Sequence, residues 1–186
     1  MSRLPQITLA AAALLLVTAC SAGGVDEPGT AGSAPPLTTP KAGSCTLPEP
    51  ATGTVTKPQQ ETSFAKGRAT VNFTDESGQH CLELQVNEQL PNLIDAEKLQ
   101  LNYTDGEGLG FEVSSFVNDW ANGGASTRVE LNGQTYADPF QRQCRITVTK
   151  ADTTGVAARV SCTDVPLLED TSGKTVSVEA VVEASA

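Results

Sequence analysis

The runs Cys144–Lys150 and Val156–Cys162 alternate in polarity and flank a turn-forming stretch from Asp152 to Gly155. Strand side chains point alternately to opposite faces. One register therefore sets Cys144 against Cys162, Ile146 against Val160 and Val148 against Ala158, all on a single face. Arg145, Thr147, Thr149, Ala157, Arg159 and Ser161 fall on the other, mostly polar face. Directly opposed antiparallel residues have Cα atoms about 4.5–5.5 Å apart, within the about 4.4–6.8 Å that a disulfide accepts. The pattern predicts a β-hairpin closed by Cys144–Cys162.

The same period recurs along the chain. Ala69–Phe73 and Cys81–Val86 alternate around Asp75-Glu76-Ser77-Gly78, a second predicted hairpin. Leu99–Tyr103 and Phe111–Val113 read as strands separated by a glycine-rich turn, and Arg128–Leu131 meets Asn132-Gly133, a strong two-residue hairpin signal. The last strand, Thr175–Val182, sets Val176, Val178, Ala180 and Val182 on one face. Two segments have short helical patterns: Asn92–Leu99 after Pro91, and Ser115–Trp120 with Phe116 and Trp120 four apart. The expected fold is all-β, an antiparallel β-sandwich (immunoglobulin-like) or small barrel of about seven to nine strands, stapled by disulfides.

The N-terminus bears on location. Arg3 precedes an apolar stretch from Ile7 to Val17, and Thr18 and Ala19 lead to Cys20. The stretch is too short to span a bilayer and has the layout of a secretory signal. Val17-Thr18-Ala19-Cys20 resembles a bacterial lipobox. The resemblance implies a diacylglyceryl group on Cys20 and cleavage before it. It also implies attachment to the extracytoplasmic face of the cell membrane, or to the outer membrane in a two-membrane bacterium. Residues 20–44, rich in Gly, Ala, Ser, Thr and Pro, read as a disordered tether. This divides the chain into a signal peptide (1–19), a lipidated linker (20–44) and one β domain (45–186). A lipobox, such a linker and a disulfide-bonded β domain are together similar to small actinobacterial envelope lipoproteins such as the mycobacterial 19 kDa antigen group. The specific part of that resemblance is Val17 to Cys20, and it carries no binding site.

With Cys20 assigned to lipid, Cys45, Cys81, Cys144 and Cys162 remain, an even number in an oxidising compartment. No C-x-x-C pair occurs among them, which argues against zinc. Once Cys144 is paired with Cys162, Cys45 pairs with Cys81 by elimination. Chain entropy alone places the longer loop slightly ahead in stabilisation.

The balance of 12 Lys+Arg against 22 Asp+Glu, a net charge of −10, disfavours nucleic acid. No catalytic, metal or cofactor constellation is read. His80, the one histidine, has no carboxylate or nucleophile partner evident from spacing and reads as an exposed hairpin residue. Ser172–Thr175 lacks the leading glycine of a phosphate loop. Asp105 and Glu107, in and just before Gly106-Glu107-Gly108-Leu109-Gly110, lack the spacing of a calcium loop and read as solvated acids. Trp120, the sole tryptophan, reads either as a core plug beside Phe116 or, if exposed, as the ligand contact. The expectation is a monomeric, non-enzymatic lipoprotein. It binds a protein or envelope polymer, with a small apolar-ligand carrier as the alternative.

Overall fold

The computed structural model describes residues 41–116, 121–168 and 171–186. Cys20 and Trp120 lie outside the described residues. The described chain is all-β and holds thirteen strands. They are β1 (Lys41–Ala42), β2 (Thr62–Ser63), β3 (Lys66–Asp75), β4 (Gly78–Val86), β5 (Leu93–Ile94), β6 (Lys98–Thr104) and β7 (Gly110–Phe116). The remainder are β8 (Asn122–Gly124), β9 (Ser126–Leu131), β10 (Gln134–Asp138), β11 (Cys144–Asp152), β12 (Gly155–Pro166) and β13 (Thr175–Ser185).

These strands make one antiparallel sheet in the order β10-β9-β7-β6-β4-β3-β13-β12-β11-β8, with β1 on β4 and β5 joining β2 to β6. The sheet is not closed into a barrel. It is weakest at the β4–β6 join, where only Gln85–Thr104 and Val86–Tyr103 pair. Across that join the sheet doubles over. Thr127 of β9 comes to 2.8 Å from the Cys144 sulfur of β11, and Tyr136 of β10 bridges to Leu167 beyond β12. Leu101, Val113 and Val129 from one limb thereby share a single apolar cluster with Val71, Ile146, Val160 and Val178 from the other.

The local chemistry explains the hairpins. Asn132 and Gly133 take φ of 51° and 78°, both positive as a type I′ turn requires, and Gln134 pairs with Leu131. Asp75 closes on Gly78. In β11–β12 the pairs from Cys144–Cys162 to Val148–Ala158 follow the expected register. A bulge between Val148 and Lys150 then shifts it by one, so that Lys150 faces Ala157.

The Asn92–Leu99 helix expectation is corrected. Leu93–Ile94 is strand β5, and Lys98 begins β6. Asp95 Oδ1 accepts from the backbone N–H of Glu97 (2.7 Å) and Lys98 (2.8 Å), which turns the chain between two strands. Ser115 and Phe116 likewise end strand β7 and start no helix. The rest of that segment, through Trp120, lies outside the described residues.

The proline-bearing lead-in segment lies across the sheet's outer surface. The side chain of Asn72 clamps Cys45. Its Nδ2 donates to the Cys45 carbonyl at 2.9 Å, and its Oδ1 accepts the Cys45 N–H. Farther on, Gly53 N–H donates to Thr149 O (3.0 Å) and Ala151 N–H to Thr54 O (2.9 Å). Thr149 Oγ1 donates to Ala51 O at 2.7 Å. Beneath this cover Ala157 and Val181 are buried although both face outward from the sheet.

Candidate functional site

The four cysteines of the β domain form two disulfides as paired above. Cα–Cα distances are 5.1 Å for Cys45–Cys81 and 4.1 Å for Cys144–Cys162. They are structural staples and bring no reactive thiol to a cleft.

His80 is not the solvated, partnerless residue the spacing suggests. Its ring stacks on Phe73 at 4.7 Å. Its Nε2 lies 2.8 Å from Ser77 Oγ and 3.2 Å from Asp75 Oδ1. A catalytic triad needs the carboxylate on one ring nitrogen and the nucleophile on the other. Here both meet Nε2, and Ser77 Oγ donates to the same Asp75 oxygen at 2.6 Å. Partial burial works against ionisation of Asp75, but the Ser77 hydroxyl, the Ser77 backbone N–H and His80 outweigh it and hold the carboxyl below its usual range. The cluster ties off the β3–β4 turn. Its signal in the sequence was the Asp-x-Ser-x-x-His spacing across a two-residue turn.

Asp105 is likewise used internally. Its Oδ1 accepts from Glu107 N–H (2.8 Å) and Leu109 N–H (2.9 Å). Among the described residues no group of three His, Cys, Asp or Glu side chains could hold a metal ion.

Two surface grooves stand out among the described residues. One, of about 390 Å³, runs over Gly67, Arg68, Lys150, Gly155 and Glu183. The other, of about 370 Å³, is the better built. Its floor is the outer face of β6, β7 and β9. Register sets Asn102 beside Glu112 and Glu112 beside Arg128. Arg128 reaches Glu130 at 2.7 Å. Burial raises the Glu112 carboxyl above its usual range; Arg128 opposes that rise and Glu130 adds to it. The groove wall is the 87–91 loop, which presents Leu90 and Pro91.

Buried asparagines immobilise that wall. Asn92 Nδ2 donates to the carbonyls of Asn87 (2.8 Å) and Leu90 (2.9 Å), and its Oδ1 accepts the Asn102 N–H at 2.6 Å. Asn102 Nδ2 donates to Pro91 O at 2.6 Å. Asn92→Ala leaves the buried Asn102 N–H without its partner and takes one donor from each of two part-buried carbonyls. The expected cost is about 1–3 kcal/mol, read as a lower urea midpoint with an unchanged m-value. A midpoint equal to wild type would show that water satisfies these groups.

A separate feature is the loop after β10. The buried Asp138 carboxylate accepts the N–H of Gln143 at 2.7 Å and of Cys144 at 3.2 Å. Gln141 takes φ of 57°, and Phe140 stands 74 % exposed at the tip. The Arg142 guanidinium lies 5.4 Å from the Phe140 ring centre.

Neither the groove nor the tip was legible in the sequence. The groove unites strands that pair only after β8 has crossed to the other limb, pairing with β11 while β9 returns to β7. The tip's one signal was an aromatic residue in an otherwise polar connection. Compared with protein-family models, with curated proteins and with solved structures, the chain shows no match.

Proposed function

We propose that this chain is an extracytoplasmic lipoprotein, anchored through Cys20, whose β domain is a non-enzymatic binding module for a protein or envelope component. The observation that carries the binding role is the groove floored by Glu112, Arg128 and Glu130 and walled by a loop that buried asparagines hold in place. Its charged and amide side chains are placed for polar recognition, and Leu90 adds an apolar edge that is 48 % exposed. Reading the domain as a carrier of apolar ligands calls for an enclosed aliphatic chamber, whereas both grooves lie at the surface and are lined in part by charged side chains.

Two measurements test the two halves of this reading. With radiolabelled fatty acid, wild type is expected to incorporate label and Cys20→Ala to incorporate none; label on the variant would refute the anchor. Residues 41–186 carrying Arg128→Ala, folded as judged by circular dichroism, are expected to lose the partner that the unaltered domain captures from envelope extracts. Equal capture by both would remove the groove from the binding role.

A further inference from the structure

We infer that the loop from Asp138 to Cys144 is a membrane-contact tip: the anchored domain rests on its own bilayer through Phe140, flanked by Arg142 and Arg145. This rests on the lipidation of Cys20 proposed above.

The loop is built to present its ring. A buried carboxylate binds the loop's closing N–H groups. Gln141, in a left-handed conformation, packs so closely on β8 that a β carbon on Gly124 would lie 2.9 Å from the Gln141 carbonyl oxygen. The backbone therefore fixes Phe140 outward, where it is the most exposed large apolar side chain among the described residues. A second ring stands nearby. Ser115 Oγ donates to Gly124 O at 2.8 Å, which brings Phe116, 43 % exposed, to the same end of the fold.

Charge and area favour lipid over a protein partner. A single ring, 74 % exposed, offers far less area than the roughly 800 Å² per side of a stable protein interface, whereas a lipid surface requires only that the ring insert. The protein is acidic, with a net charge of −10, yet the tip carries exposed Arg142 and, at the start of β11, exposed Arg145, against exposed Asp164 next to Thr163, whose N–H donates to Gln143 O at 3.0 Å. Long cationic side chains keep their charge at the headgroups while their stems accompany a buried ring.

Chain length supplies the rest. About twenty residues separate Cys20 from Lys41, so the domain stays within about 70 Å of its anchor even at full extension. Tethering at that range makes a weak second contact effectively intramolecular, and one inserted aromatic suffices.

The test uses the full lipidated protein on vesicles of phosphatidylcholine and phosphatidylglycerol, with p-benzoylphenylalanine in place of either Phe140 or Thr153. Thr153 is exposed in the turn at the opposite end of β11. Phospholipid adducts are expected about tenfold more often from position 140 than from position 153. Equal yields on protein that still floats with the vesicles would overturn the membrane contact and leave lipidation standing. Protein that does not float overturns both. An adduct from position 140 to a second copy, in place of lipid, would overturn the contact in favour of self-association.

Discussion

Gly67→Ala is expected to destabilise the domain by about 3–5 kcal/mol, a large part of the roughly 5–15 kcal/mol available to a domain of this size. Gly67 lies near the start of β3, opposite Ala184 of β13, in the nine-pair ladder that joins the two strands at the middle of the sheet. Its φ is +147°, a conformation that costs an L-residue about 1–3 kcal/mol. Space is the harder limit. A β carbon there would lie 2.1 Å from the Glu183 carbonyl oxygen and 2.7 Å from the Ala184 Cα. Both are backbone atoms, so no side-chain rotation relieves the clash. Nor can β13 retreat, because a β carbon on Gly155 of β12 would already lie 2.7 Å from Ala184 O on the other side. Gly78→Ala isolates the conformational part, since Gly78 has φ of +125° and nothing within 4 Å of a β carbon. Urea unfolding should give Gly78→Ala a loss of about 1 kcal/mol and Gly67→Ala several times that. Equal losses would show that the ladder yields and that crowding by β13 does not constrain the fold.

Gly67 also marks where legibility in the sequence ends. Hairpins were readable because their determinants are local. Asn132-Gly133 needs positive φ at both positions, and Asp75 and Asp152 accept the N–H groups of their own turns. The alternation of β13 likewise placed Val176, Val178, Ala180 and Val182 inward, as found. What could not be read depends on which strands meet. Ala157 and Val181 sit at positions that alternation assigns to solvent, and are buried because the lead-in segment crosses them. The bulge at Thr149 occurs where that segment takes the Thr149 carbonyl and hydroxyl. The segment Asn92–Leu99 was misread because its run from Asp95 to Lys98 suits a helix locally, whereas here Asp95 Oδ1 accepts the N–H groups of Glu97 and Lys98 and closes a turn between two strands. The candidate site was the least legible. Glu112 and Arg128 are ordinary solvent-face residues until β7 and β9 are known to be neighbours.

Loss of Cys144–Cys162 should cost more than loss of Cys45–Cys81, the reverse of what loop length suggests. Chain entropy gives about 3 kcal/mol for the bridge spanning 18 residues and slightly more for the one spanning 36. That ranking holds only if both bridges restrain the same cooperative unit. Cys144 and Cys162 are buried in the apolar cluster, at the join of β11 and β12, with Thr127 Oγ1 against the Cys144 sulfur. Removing both sulfurs releases the loop constraint and also opens space between the two limbs, which adds a cavity cost. Cys45 belongs instead to the lead-in segment on the outer surface, which can open without disturbing β3, β4 or β13. Its bridge therefore adds to global stability no more than the free energy of that local opening. The Cys144→Ala/Cys162→Ala protein is expected to lose about 3–5 kcal/mol, with the Cys45→Ala/Cys81→Ala protein losing about 1–2 kcal/mol. Hydrogen exchange should separate the cases further. In the second variant protection is expected to fall at Gly53, Thr56 and Ala151, whose N–H groups join the segment to β11. Protection in β3 and β13 should stay near wild type. If the Cys45 and Cys81 variant lost the larger share of global stability, the lead-in segment would have to be counted as part of the core, folding and unfolding in one step with the sheet.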